Sequence, residues 1–166
     1  MRSIEHGNLI DAEAARVMAA HGCFLVPTLV TYDQIAEMGS ALRFPQESLD
    51  KLHDVLHAGV TAIDLARAAG VKIGFGTDLL GECHPQQSKE LVLRLEVQSS
   101  LEILRSATVV NAELLGMRGV LGTVKPGALA DLLLVDGNPL EDISVLAGQG
   151  ERISLILQDG VLRKGA

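Results

Sequence analysis

Residues 23–30 read CFLVPTLV. An unbroken apolar run this short suits a strand covered on both faces, the setting of a parallel sheet. Pro27 and Thr28 put the end of that strand near residue 28, because proline cannot donate to a ladder. Upstream, RSIEHG (2–7) has strand character and stops at Gly7. LIDAEAARVMAAHG (9–22) lies between the two and reads as a helix. Asp11 is its N-cap, Glu13 falls in the first turn, and Gly22 is the C-terminal stop. Downstream, YDQIAEMGSALRF (32–44) is polar and mixed, an irregular or helical excursion. From Pro45 to Ala69 the pattern is helical, with Leu49, Leu52, Leu56, Val60, Ile63 and Leu65 near 3.6-residue spacing. Pro45 suits the first turn and Gly70 closes the helix. VKIGFGTD (71–78) is then a further short strand with a polar tip. Strand, helix, strand, helix, strand is the alternation of βα units on a parallel sheet.

The remainder has another character. LLGECHPQQ (79–87) reads as a loop. SKELVLRLEV, SSLEILRSA and TVVNAELLGM read as three helical pieces, with Ser88, Ser99 and Thr108 as caps. After Gly119 turn signals dominate. DLLLVD (131–136) and RISLILQ (152–158) are strands, and Asp159-Gly160 is a two-residue hairpin signal. The expected division is residues 1–120 and residues 121–166, the second too short to be stable unaided.

Composition narrows the function classes. The 166 residues carry a formal net charge of −7, which argues against nucleic acid and anionic membrane surfaces as partners. No run reaches the ~18 apolar residues of a membrane span, and no signal-peptide pattern is visible. One Tyr, three Phe and no Trp leave the core to aliphatic residues. The two cysteines, Cys23 and Cys83, make neither a disulfide framework nor a CxxC site. A cytoplasmic protein is expected.

In a parallel βα sheet ligands bind at the carboxyl ends of the strands. Those ends are His6, Pro27-Thr28 and Asp78. An imidazole and a carboxylate suit a divalent metal such as zinc, and a carboxylate there can take a proton from metal-bound water. Each alone also reads as an ordinary strand-end residue; together they make a candidate site. Tyr32, just past the second strand end, and His84, in the loop after Asp78, are candidate substrate contacts. Glu5 alternates with His6 and should point away from it. His53 and His57 are four apart, yet LHDVLHAG lacks the HExxH glutamate and reads as a solvated helix face.

SIEHG, VPTL, VKIGFGTD and above all GTVKPGALADLLLVDGNP together resemble the C-terminal part of the metal-dependent amidohydrolase superfamily, nearest its imidazolonepropionase-like and Xaa-Pro-dipeptidase-like members. The resemblance covers essentially the whole chain. It implies a (β/α)8 barrel with a small β-sandwich. IEHG, VPTL and FGTD would be barrel strands six to eight, and the C-terminal strands would belong to the sandwich. It implies that His6 ligates a divalent metal, zinc first among them. It implies that Asp78 ligates metal and acts as the general base in hydrolysis of a C–N bond of a dipeptide, N-acyl amino acid or cyclic amide. The family's first-strand His-x-His pair, fourth-strand lysine and fifth-strand histidine have no counterpart in these residues. The chain alone is therefore expected neither to hold metal tightly nor to turn over substrate. Open sheet edges predict a homo-oligomer or association with the missing half. Two alternatives remain: a non-catalytic remnant serving as an interaction or structural module, and a flavodoxin-like binding domain, for which EHGNLID gives no convincing phosphate loop.

Overall fold

The computed structural model describes residues 1–39 and 44–165. β1 (Ser3–Glu5), β2 (Phe24–Val26) and β3 (Lys72–Ile73) form a parallel sheet in that order. Ser3 to Glu5 pair with Phe24 to Val26, and Leu25 pairs with Ile73. β2 is central and buried at every residue, as the apolar run predicts. α1 (Ala12–Ala20) connects the first two strands. Its N-terminus is capped as expected, with the Asp11 carboxylate accepting from the Ala14 N–H at 2.8 Å.

Between β2 and β3 come α2 (Leu29–Met38), α3 (Gln46–Asp50) and α4 (Leu52–Ala68). The segment read as an excursion is thus helical, and α2 starts at Leu29, so Leu29 and Val30 belong to it and not to the strand. A carboxylate supplies the physical reason: Glu90 accepts from the Leu29 and Val30 N–H groups, which have no partner within the helix. The part of the excursion at residues 40–43 lies outside the described residues. The single helix expected from Pro45 is two, meeting at Lys51. α4 approaches α2 and the segment after β1 at Gly59, where a side chain would meet Asn8 Nδ2 at 2.7 Å and Leu29 Cδ2 at 2.8 Å. A Cβ there would force both buried side chains to shift. The main core gathers Met18, Leu25, Leu29, Ile63, Val71 and Ile73.

After β3 the chain makes a 3₁₀ turn (Gly81–Gln86), α5 (Lys89–Leu93), a further 3₁₀ turn (Arg94–Glu96) and α6 (Ser100–Arg105). A π turn (Ser106–Val110) then leads directly into α7 (Asn111–Leu114). Ser99 makes a full capping box with Glu102. Ser88 and Thr108 do not cap. Ser88 makes no such bond, and Thr108 lies within a continuous helical run, its hydroxyl donating to the Leu104 carbonyl at 2.6 Å. β4 (Leu132–Val135), β5 (Ile153–Gln158) and β6 (Val161–Lys164) form an antiparallel sheet in chain order. The hairpin between the last two turns at Asp159 and Gly160, both with positive φ (50° and 74°), as a type I′ turn requires. Ile143 is fully buried against Leu91 and Ile103, so the segment after residue 120 shares a core with the helices before it. Among the described residues no helix is long and apolar enough to cross a membrane.

Candidate functional site

His6 follows β1 directly. Its N–H donates to the Val26 carbonyl at 3.0 Å, which carries the ladder one residue past the strand. Its ring Nδ1 lies 2.8 Å from the hydroxyl of Thr28, a buried residue at the end of β2. Its other nitrogen, Nε2, stands 3.7 Å from Asp78 Oδ2. That is too long for a hydrogen bond. It is short enough for one ion to bind both atoms, since two zinc bonds of about 2.0–2.1 Å span at most about 4.2 Å. The donor set fits a divalent metal: one ring nitrogen engaged by a neighbouring hydroxyl, the other turned toward a carboxylate. Both side chains stay open, 42% and 56% exposed, which leaves room for further ligands or a substrate. Among the described residues no group of three or more His, Cys, Asp or Glu gathers, and His6 and Asp78 are the two donors that meet here.

Tyr32 lies on α2, not on a loop, and presents its ring edge-on to His6 at 6.3 Å between centroids and 89° between planes. Burial first, and then the Asp78 charge, push its phenol above 10.0. It therefore remains a neutral donor at ordinary pH. His84 lies exposed on the 3₁₀ turn Gly81–Gln86. Among the described residues no hydrogen bond or ion pair joins it to His6 or Asp78. Asp78 also borders a cleft of about 490 Å³ with Thr31, Ile35, Phe44, Leu79 and Cys83. His57 is exposed on α4, and the side chain of His53 lies outside the described residues.

A second set of residues, absent from the sequence reading, holds the strand ends. Arg94 and Glu90 are both fully buried, with Nε donating to Oε1 at 2.6 Å. The guanidinium also donates to the carbonyls of Gly74 and Pro27, each at 2.8 Å. The ring of Phe75 lies 4.7 Å from the guanidinium carbon. Burial pushes the Glu90 carboxyl up to about 7, opposed by Arg94 and by the Val30 and Leu29 N–H groups. Burial also pulls Arg94 below its usual value, against the pull of Glu90. On the outer side of β3, the Asn111 amide accepts from the Phe75 N–H and donates to the Phe75 carbonyl, both at 2.9 Å. It pairs with Phe75 as a neighbouring strand would. The four-residue spacing of Glu90 and Arg94 was the available signal; only their burial distinguishes them from a surface pair.

Parallel strands joined by helices, with a histidine and an aspartate brought together at their ends, define an α/β protein with a candidate site at the carboxyl edge of its sheet. The amidohydrolase family pattern matches residues 1–162, and the chain belongs to that family. It is 31% identical to the ochratoxinase of Aspergillus niger over 171 aligned residues, which cover 99% of this chain and 34% of that protein. A prolidase solved with N-methylphosphonate-L-proline is 51% identical, with a TM-score of 0.95 over 100% of this chain and 41% of that one. A Xaa-Pro dipeptidase with methionine bound in its active site is 36% identical, with a TM-score of 0.87 over 99% of this chain and 40% of that one. The chain thus spans well under half the length of these relatives.

Proposed function

We propose that this chain contributes part of the active site of a metal-dependent hydrolase that cleaves amide bonds of dipeptides, N-acyl amino acids or cyclic amides. One observation carries the reading: His6 Nε2 and Asp78 Oδ2 face each other across 3.7 Å at the ends of parallel strands. His6 is a metal ligand. Asp78 is a ligand and the base that takes a proton from the attacking water. A divalent ion, zinc first, would polarise the amide carbonyl and lower the pKa of its bound water. Tyr32 offers a phenol to the substrate beside His6, and His84 reaches substrate from the turn after Asp78. The prolidase and dipeptidase relatives support a peptide-like substrate.

The parallel strands are read as three of the strands of a (β/α)8 barrel, the sixth to eighth. Residues 121–166 are read as the C-terminal share of a β-sandwich, packed through Ile143 on the helices of residues 1–120. Two donors fall short of the three or four a metal centre uses, so the chain alone is read as inactive and only weakly metal-binding. Measuring zinc after dialysis tests this, together with hydrolysis of dipeptides and N-acyl amino acids. Stoichiometric zinc with hydrolysis abolished by His6→Ala would overturn the inactivity and keep the site; metal retained equally by His6→Ala and Asp78→Ala would overturn the site.

Association is part of the same proposal. Leu134 and Leu162 on one face of the antiparallel sheet, and Leu133 and Val161 on the other, are each more than half exposed, so the sheet offers apolar side chains suited to being covered. A second copy or the remainder of a longer protein covers it. A stable monomer in size-exclusion chromatography at micromolar concentration would count against this.

A further inference from the structure

The proposed chemistry makes no use of the buried Glu90–Arg94 pair. We propose that this pair is a positioning device, which sets the span between His6 and Asp78 by gripping the backbone at two strand ends. The guanidinium is a rigid planar fork, so the Pro27 and Gly74 carbonyls it holds are fixed relative to each other. Pro27 precedes Thr28, whose hydroxyl meets His6 Nδ1. Glu90 takes the Val30 N–H at 2.7 Å, just beyond Thr28, so the chain is held on both sides of that hydroxyl. Gly74 opens the stretch that ends at Asp78. The Thr31 hydroxyl donates to the carbonyl of Thr77, which ties α2 to the residue before Asp78. Each arm of the site therefore ends on the same ion pair.

Stability alone is a weak reason for such a pair. Apolar residues of similar volume often replace a buried ion pair without loss. What they cannot copy is a two-carbonyl grip. The inference rests on the reading that His6 and Asp78 form one site.

Two variants of the chain test it. Arg94→Lys keeps a charge beside Glu90 but loses the fork. The double variant Glu90→Leu/Arg94→Met removes both charges and so leaves none orphaned. Two NMR readouts are taken: the cross-peak between the His6 and Tyr32 rings, and broadening of the His6 ring signals by added Co²⁺ alone. Both variants are expected to keep the wild-type far-UV circular dichroism. Both should lose the cross-peak and need roughly tenfold more Co²⁺ to broaden His6, the scale at which supporting residues act on metal affinity. A wild-type cross-peak and Co²⁺ response in either folded variant would overturn the proposal. So would failure of both variants to fold, which assigns the pair to the fold itself. If the wild-type chain shows the cross-peak but no Co²⁺ response, the metal reading fails, and the cross-peak alone still decides positioning.

Discussion

His6 and Asp78 face each other at 3.7 Å, and both hold the backbone in the left-handed region, with φ of 64° and 49°. For a residue with a Cβ that conformation costs roughly 1–2 kcal/mol. Two such residues at one site are held there by the fold around them.

The strain has a measurable counterpart. At each position the Gly variant should be more stable than the Ala variant by about 0.5–1 kcal/mol, because glycine's relief exceeds its extra unfolded-state entropy. Comparing Gly with Ala cancels the loss of the side chain itself. Urea denaturation of His6→Gly against His6→Ala, and of the Asp78 pair, reads the difference. Ala variants more stable than the Gly ones by about 0.5–1 kcal/mol, glycine's entropic cost alone, would show that these backbones are not strained.

Tyr32 is the single tyrosine in a chain without tryptophan, so ultraviolet titration near 295 nm reads it alone. Burial and the Asp78 charge both raise its pKa above 10.0. The group binds its proton more tightly when folded, so its contribution to stability is full below 10 and is lost as pH rises through the raised value. Asp78→Asn should bring the midpoint part of the way down and no further, because burial, the larger cause, remains. A midpoint at the ordinary value in the folded wild type would contradict this placement of the ring.

Much of this arrangement was legible in the sequence, and the reasons are physical. CFLVPTLV has no polar residue to put on a solvent face before Thr28, and its Phe24–Val26 stretch is the central strand. Asp11, Gly22, Gly70 and Asp159-Gly160 carry local turn and cap chemistry, which does not depend on distant contacts. His6 and Asp78 could be picked out because strand ends are where parallel sheets place ligands. The start of α2 was missed, along with the place of Tyr32 on it. Its first N–H groups are satisfied by Glu90, 60 positions along the chain. Glu90 and Arg94 were visible only as an i,i+4 pair, which on most helices is solvated. Their role comes from carbonyls up to 67 positions away, and Asn111 likewise acts on Phe75 from 36 positions away. No local pattern encodes such contacts.

The capping box of α6 gives a separate pH handle. Glu102 accepts from the Ser99 N–H and hydroxyl at 2.8 and 2.7 Å, and these bonds hold its pKa below 4.5. Its folded value is depressed, so its contribution is full above 4.5 and lost as pH falls through the lowered value. Ser99→Ala should cost about 1 kcal/mol at neutral pH. Glu102→Gln should flatten the acid limb of stability against pH, an effect reduced by its partial exposure. Unchanged acid limbs in both variants would show that the box does not form in solution.

The Glu90–Arg94 pair yields the largest expected stability effect. Arg94→Met leaves a buried carboxylate without its partner, and Glu90→Leu leaves a buried guanidinium; each should cost about 3–5 kcal/mol. The double variant should cost less than the sum, because no charge is then orphaned, and the difference is the coupling between the two side chains. The cycle is best measured at pH 8, above the Glu90 value of about 7, so that the carboxyl is ionised. Because that value is raised from 4.5, the folded chain holds the proton more tightly. Its stability contribution is therefore full below 4.5 and lost as pH rises through about 7. Glu90→Leu should remove that slope. Additive costs in urea denaturation, with the slope intact in Glu90→Leu, would mean that the two side chains do not act as one buried unit.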